Sequence, residues 1–192
     1  MKTKHFFDIG GNIGQTFDWL ATLPRDYSDH TLWIFEPSPR HYAALIEKCK
    51  QMSSKYKIKL CPFGLGGRTD TLTFFEKDDT KGDSFEPWLA SDHEVRNISQ
   101  GYEVVACIVS LPDFILRATG PEDEIVLDVD AEGGEYGMLE ALIAAPEALG
   151  RVTQIIVEFH HIQDPRHGAR KTAILEELRR HDTKLTIRGF VK

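Results

Sequence analysis

Short apolar runs alternate along this chain with longer stretches in which apolar positions recur every three or four residues. The first run, His5-Phe6-Phe7, reads as a strand that passes through a glycine-rich turn into a helical stretch beginning at Gln15. Leu32 to Phe35 is a second strand ending in Glu36, and Ser38-Pro39 reads as the N-cap and first position of a helix. That helix carries Tyr42, Leu45, Ile46 and Cys49 on one face, the spacing of a core-facing helix. Lys57 to Phe63 is a third strand, and Thr71 to Phe75 an added one reached through a turn at Gly66-Gly67. Tyr102 to Val109 is a further strand, followed by a short helix from Leu111 to Ala118 with Pro112 in its first turn. Glu124 to Asp130 is an apolar run that turns acidic at its end. Tyr136 to Leu149 then reads as a helix with Leu139, Leu142 and Ile143 inward, Gln154 to Phe159 as a strand, Ala169 to His181 as a helix and Leu185 to Val191 as a last strand. Strands alternating with helices predict an α/β fold, a doubly wound and mostly parallel sheet flanked by helices. No repeat or linker interrupts the pattern, so residues 1–192 are expected to form a single domain.

Between these elements, residues 76–103 are polar and acid-rich, with Phe85 and Trp88 as the main large apolar groups. The segment reads as a lid or as a plain surface loop. The whole chain of 192 residues carries a net charge of −7, which argues against a general grip on nucleic acid. No apolar stretch approaches the roughly 20 residues of a membrane helix. The start, Met-Lys-Thr-Lys-His, runs straight into the first strand without a signal peptide. Cys49, Cys61 and Cys107 lack any C-x-x-C spacing and are expected to be reduced core thiols of a cytoplasmic protein, with no structural zinc.

The candidate chemistry begins at Asp8-Ile9-Gly10-Gly11-Asn12-Ile13-Gly14. A strand, a glycine turn and a helix bring backbone N–H groups near a nucleotide-like ligand. Glu36 follows Gly14 by 22 residues at the tip of the second strand, placed to accept hydrogen bonds from ribose hydroxyls. The pattern is not the G-x-G-x-x-G of a dinucleotide site, having an acid before the first glycine and Asn12 inside the loop. It resembles the S-adenosylmethionine loop of class I methyltransferases, and that resemblance implies cofactor contacts from Asp8, Gly10, Gly11, Asn12, Gly14 and Glu36. Asp8 would favour the cofactor's ammonium through the loop.

Ligands of open α/β sheets bind at the carboxyl ends of strands, where Asp8, Glu36, Asp130 and Glu158 should converge. Asp128, Asp130, Glu132 and Glu135 crowd around a Gly-Gly turn, and alternation puts Asp128 and Asp130 on the same side of their strand. Their repulsion needs a cation, bound water or hydrogen-bond donors to offset it. An alternative role for Glu135 is simply to charge the start of the next helix favourably.

Four segments then carry a more specific resemblance: Asp8 to Thr16, Phe35-Glu36-Pro37-Ser38-Pro39, Asp130-Ala131-Glu132-Gly133-Gly134-Glu135, and Val157-Glu158-Phe159-His160. In this order they resemble the motifs of the FkbM family of S-adenosylmethionine-dependent methyltransferases. The resemblance implies the Rossmann-like class I methyltransferase fold and O-methylation of a hydroxyl on a sugar or natural-product small molecule. One departure is Asp128, where the family commonly has Lys. Asp130, Glu132 and His160 are the catalytic candidates, with Glu132 or His160 (or its neighbour His161) as proton acceptor. A divalent metal held by Asp130, Glu132 and His160 is chemically sensible but not expected. Two other readings are a non-catalytic module of the same fold and, less favoured by the loop, an NAD-dependent oxidoreductase. The expected partner is a hydroxylated small molecule, with neither nucleic acid nor membrane.

Overall fold

The computed structural model describes residues 2–23, 25–76, 102–160, 165–181 and 183–188. Its central strand is β1 (Lys4–Ile9), flanked by β2 (Thr31–Phe35) and β7 (Glu124–Val129). Outward from these lie β3 (Lys57–Cys61) beside β2, and β8 (Val152–Glu158) and β9 (Lys184–Arg188) beyond β7. The order β3-β2-β1-β7-β8-β9 is parallel throughout. Helices cover both faces, which is why β1, β2 and β7 are buried along nearly their whole lengths and read as continuous apolar runs. One face packs Phe7, Ile9, Phe35 and Leu127 against α3 (Leu111–Ala118), α4 (Glu135–Ile143), α5 (Pro146–Leu149) and α6 (Pro165–Leu178). The other packs Phe6, Ile34 and Val126 against α1 (Gln15–Leu20) and α2 (Pro39–Met52). The α/β class and the doubly wound parallel sheet thus stand as expected.

Several boundaries differ from the reading of the sequence, among them the last helix, expected over 169–181 and found at Pro165–Leu178. The third strand ends at Cys61 instead of Phe63, because Pro62 has no N–H to continue the ladder. The chain then forms β4 (Gly64–Gly66), which joins β5 (Asp70–Glu76) and β6 (Tyr102–Ser110) in a separate small sheet. The single helix expected over 136–149 is two, since Ala145, preceding Pro146, adopts φ −121° and ψ 76°. Cys107 is exposed, whereas Cys49 and Cys61 are buried as expected. On α2, Ser38 caps the helix by accepting from His41 N–H at 3.3 Å, and Leu45 and Cys49 face the core.

The expected lid, with Phe85 and Trp88, falls largely on residues 77–101 and lies outside the described residues, as do His161 and the end of the last strand. No helix among the described residues is long and apolar enough to cross a membrane.

Candidate active site

The strand order reverses between β1 and β7, so the helices leave the sheet on opposite sides and open a crevice at the strands' carboxyl ends. Gly10, Asn12, Glu36, Asp130 and Glu132 line it. At Gly10 the β1 turn passes against the end of β7. Its φ is +95°, and a Cβ there would fall 1.9 Å from the Asp130 carbonyl oxygen. Only glycine allows that approach.

The loop's amides are already committed within the protein. Gly10 and Gly11 N–H both donate to the Phe35 carbonyl at 3.1 Å, and Gly14 N–H donates to the Gly11 carbonyl at 2.8 Å. Asn12, with φ of 46°, donates its N–H to Glu36 Oε2 at 2.7 Å. The sequence suggested amides aimed at a ligand; here those of Gly10, Gly11 and Asn12 fasten the loop to the end of β2, and that of Gly14 closes the loop on itself. Glu36 is 5% exposed and also accepts from Ser38 N–H at 2.7 Å through Oε1. A carboxylate offers about four acceptor positions, so these two bonds alone do not exhaust it.

Asp8 does not line the crevice. It lies under the loop, 3% exposed, accepting from the Thr16 hydroxyl at 2.9 Å. Burial pushes its carboxyl up to about 7, although Thr16 and the Arg188 guanidinium pull the other way. Its sheet neighbour across the β1–β7 ladder is Asp128, 1% exposed. The cation that offsets this pair is Arg188, at the end of β9. It spans β8 to ion-pair with Asp128, places Nη1 3.8 Å from Asp130 Oδ2, and stacks 4.4 Å over Trp19. Nothing local in the sequence marks Arg188, because its partners lie on a strand two places away.

At the other end of the crevice, Asp130 and Glu132 leave β7 and meet His160 leaving β8. His160 Nε2 lies 3.6 Å from Asp130 Oδ1, 3.7 Å from Glu132 Oε2 and 3.8 Å from Glu158 Oε1. Glu132 holds a left-handed backbone at φ 45°, which turns its side chain back toward the strand ends. Glu135, fully buried, organises the group. Its carboxylate accepts from Gly133 N–H at 2.8 Å and His160 N–H at 2.6 Å, and Tyr136 OH donates to the His160 carbonyl at 2.6 Å. The helix-charging role foreseen for Glu135 is therefore secondary to bracing two strand ends.

The electrostatics follow from this crowding. Burial alone would depress His160, but the carboxylates of Glu135, Glu132 and Asp130 outweigh it and raise the imidazole to about 9. Burial raises Asp130 to about 6, although His160 pulls it down. Burial likewise pushes Glu135 up, but its bonds with His160 leave it below the usual range. The carboxylate neighbours of His160 keep its imidazole charged at neutral pH. His160 is thus a holder of anions, and a weak proton acceptor. The structure brings Glu36, Gly10, Asn12, Asp130 and Glu132 around one opening, with His160 buried behind the last two and Asp8 beneath the loop; the crevice lining includes neither Gly11, Gly14 nor His160.

The chain matches the family model described as the methyltransferase FkbM domain over residues 8–190. No curated protein matches it. Among solved structures, a methyltransferase FkbM from Methylobacillus flagellatus KT is similar with 14% identity and a TM-score of 0.46. The match covers 75% of this chain but 30% of that one, so this chain spans under a third of its neighbour's length.

Proposed function

The chain belongs to the FkbM methyltransferase family, and from this premise we propose that it is an S-adenosylmethionine-dependent O-methyltransferase acting on a hydroxyl of a sugar or natural-product small molecule. The observation that carries the cofactor assignment is the crevice itself. Glu36, Asp130 and Glu132 line it, and neither Lys nor Arg is among its described lining residues. The N–H groups of Gly10, Gly11, Asn12 and Gly14 are spent internally. A dinucleotide's pyrophosphate needs free amides or cations, whereas an ammonium and a sulfonium are stabilised by carbonyls and carboxylates.

When bound, S-adenosylmethionine supplies a methyl carbon that bonds to the acceptor oxygen while the carbon–sulfur bond breaks and sulfur keeps the electron pair. Glu36, which lines the crevice, would accept from the ribose hydroxyls. Asp130 and Glu132 position the acceptor hydroxyl, Glu132 takes its single proton, and His160 keeps both carboxylates aimed at that point. Alignment of the reacting atoms supplies much of the rate. Free thiols at Cys49, Cys61 and Cys107 suit the reducing cytoplasm. Calorimetry against S-adenosylmethionine and NAD tests the assignment, followed by transfer of labelled methyl to a panel of hydroxylated acceptors. Saturable binding of S-adenosylmethionine with none of NAD is expected. Binding of NAD alone would overturn the reading. Tight cofactor binding without transfer to any acceptor would favour the non-catalytic module.

A further inference from the structure

His160 is placed as a ligand would be placed. Its side chain is 8% exposed, and its main chain is fixed from both sides by Glu135 and Tyr136. Nδ1 lies 3.4 Å from Glu135 Oε1, which turns Nε2 the opposite way, toward Asp130, Glu132 and Glu158 at 3.6, 3.7 and 3.8 Å. Those separations exceed a hydrogen bond. Two ligands at about 2.1–2.4 Å from a shared ion lie about 3–4 Å apart, depending on the angle between them. The Asp130, Glu132 and His160 donor atoms all fall within 4.8 Å of one another.

We propose that Asp130, Glu132 and His160, with Glu158 beside them, bind one divalent cation of the Mn²⁺ or Mg²⁺ type. Carboxylates alone would attract counter-ions loosely. The buried imidazole makes the site directed. Nδ1 lies on the Glu135 side and Nε2 faces the other carboxylates, the placement in which a carboxylate orients a metal-bound imidazole. Hard oxygen donors select Mg²⁺ or Mn²⁺, and the single nitrogen shifts the preference toward Mn²⁺. The imidazole ligates in its neutral form, so its Nε2 proton leaves to solvent as the ion enters.

This inference deepens the proposed function and rests on it only for the ion's role. Beside the acceptor, the ion would lower the pKa of a hydroxyl that joins it, taking over work the free carboxylates would otherwise do as a base.

The test is titration of Mn²⁺ into the full chain freed of metal with EDTA, read by calorimetry and by electron paramagnetic resonance with detection of ¹⁴N modulation. One Mn²⁺ per chain with a ¹⁴N signal from imidazole is expected. Glu132→Gln and Asp130→Asn, both at partly exposed side chains, should each weaken Mn²⁺ by at least about tenfold, with circular dichroism verifying the fold. His160→Gln should abolish the ¹⁴N signal. Glu36→Ala should leave Mn²⁺ affinity unchanged while weakening S-adenosylmethionine, which separates a failure of the metal site from a failure of the cofactor assignment. No binding by the folded wild type at millimolar Mn²⁺, no ¹⁴N coupling, or equal affinity in the Glu132 and Asp130 variants would overturn the proposal.

Discussion

The two ends of the crevice are built on opposite principles. At the glycine-loop end, backbone amides that the fold brings together find acceptors within the protein. Four loop amides have backbone or carboxylate acceptors, and Glu36 closes the wall with two bonds of 2.7 Å. At the far end, Asp130, Glu132 and Glu158 converge on one imidazole at distances too long for hydrogen bonds. A satisfied end is rigid and holds shape. A crowded anionic end stores unfavourable charge interactions that a ligand, proton or cation relieves. On the proposed function, binding and reaction would fall to different parts of one opening.

The largest expected effect follows from that division. Glu132→Gln nearly preserves shape while removing a charge from the crowded end. Turnover should fall by about 10²–10⁴, the range for losing a general base, and further if a bound ion is lost with it. S-adenosylmethionine affinity should stay within a few-fold. Full activity of this variant on a verified acceptor would leave the far end as a purely structural charge cluster. In the wild type, EDTA inhibition reversed by Mn²⁺ or Mg²⁺ would assign the effect to metal ligation, and indifference to EDTA would leave the base role.

The same division explains what the sequence could and could not tell. The loop end is contiguous, so Gly10, Asn12 and Glu36 announce themselves by spacing, and the parallel order of the sheet follows from the alternation of elements. Apolar periodicity also located α2 and α3 to within a residue or two. It failed at 144–145, where Pro146 overrides a helical pattern, and it could not tell that the loop's amides turn inward. The far end is assembled across strands. Arg188 reaches Asp128 over an intervening strand, and Glu135 bonds to His160 over 25 positions of sequence. Such partners depend on sheet order and side-chain reach. The pairing of Asp128 with Asp130 signalled that a cation, bound water or hydrogen-bond donors had to offset it, though not which or from where.

Asp8 sits under the boundary between the two ends and offers a test through stability. Its carboxyl, raised from 3.8 to about 7 by burial, stays protonated in the folded protein over a range where the unfolded chain has released the proton. The folded state therefore binds more protons between pH 4 and 7, and stability falls as pH rises through that window and levels off above it. Asp8→Asn cannot ionise and keeps an oxygen for the Thr16 hydroxyl. Between pH 5 and 8 the wild type should lose about 3 kcal/mol relative to the variant, from about two units of remaining shift at 1.36 kcal/mol each. Urea unfolding at the two pH values measures this. Parallel losses in both proteins would mean that Arg188 keeps Asp8 ionised, and that the charge under the loop is balanced after all.

The smallest effect sharpens the comparison from the loop end. Glu36→Ala should weaken S-adenosylmethionine by about 1.5–3 kcal/mol, the range for hydrogen bonds to a charged group. Because the same carboxylate holds Asn12 and Ser38 N–H, the variant should also melt earlier. Glu36→Gln separates the two roles only in part: both oxygens accept N–H groups, so an amide must turn its NH₂ toward one of these donors. Turnover at saturating cofactor should change little in either variant, the reverse of Glu132→Gln, since the loop end contributes binding that is equal in ground and transition states. A fall in kcat as large as that of Glu132→Gln would couple the two ends through the Gly10–Asp130 contact, where the loop lies against the strand that carries the acids. Unchanged affinity in a folded Glu36→Ala protein would remove Glu36 from the cofactor site and leave it as the clamp that shapes the wall.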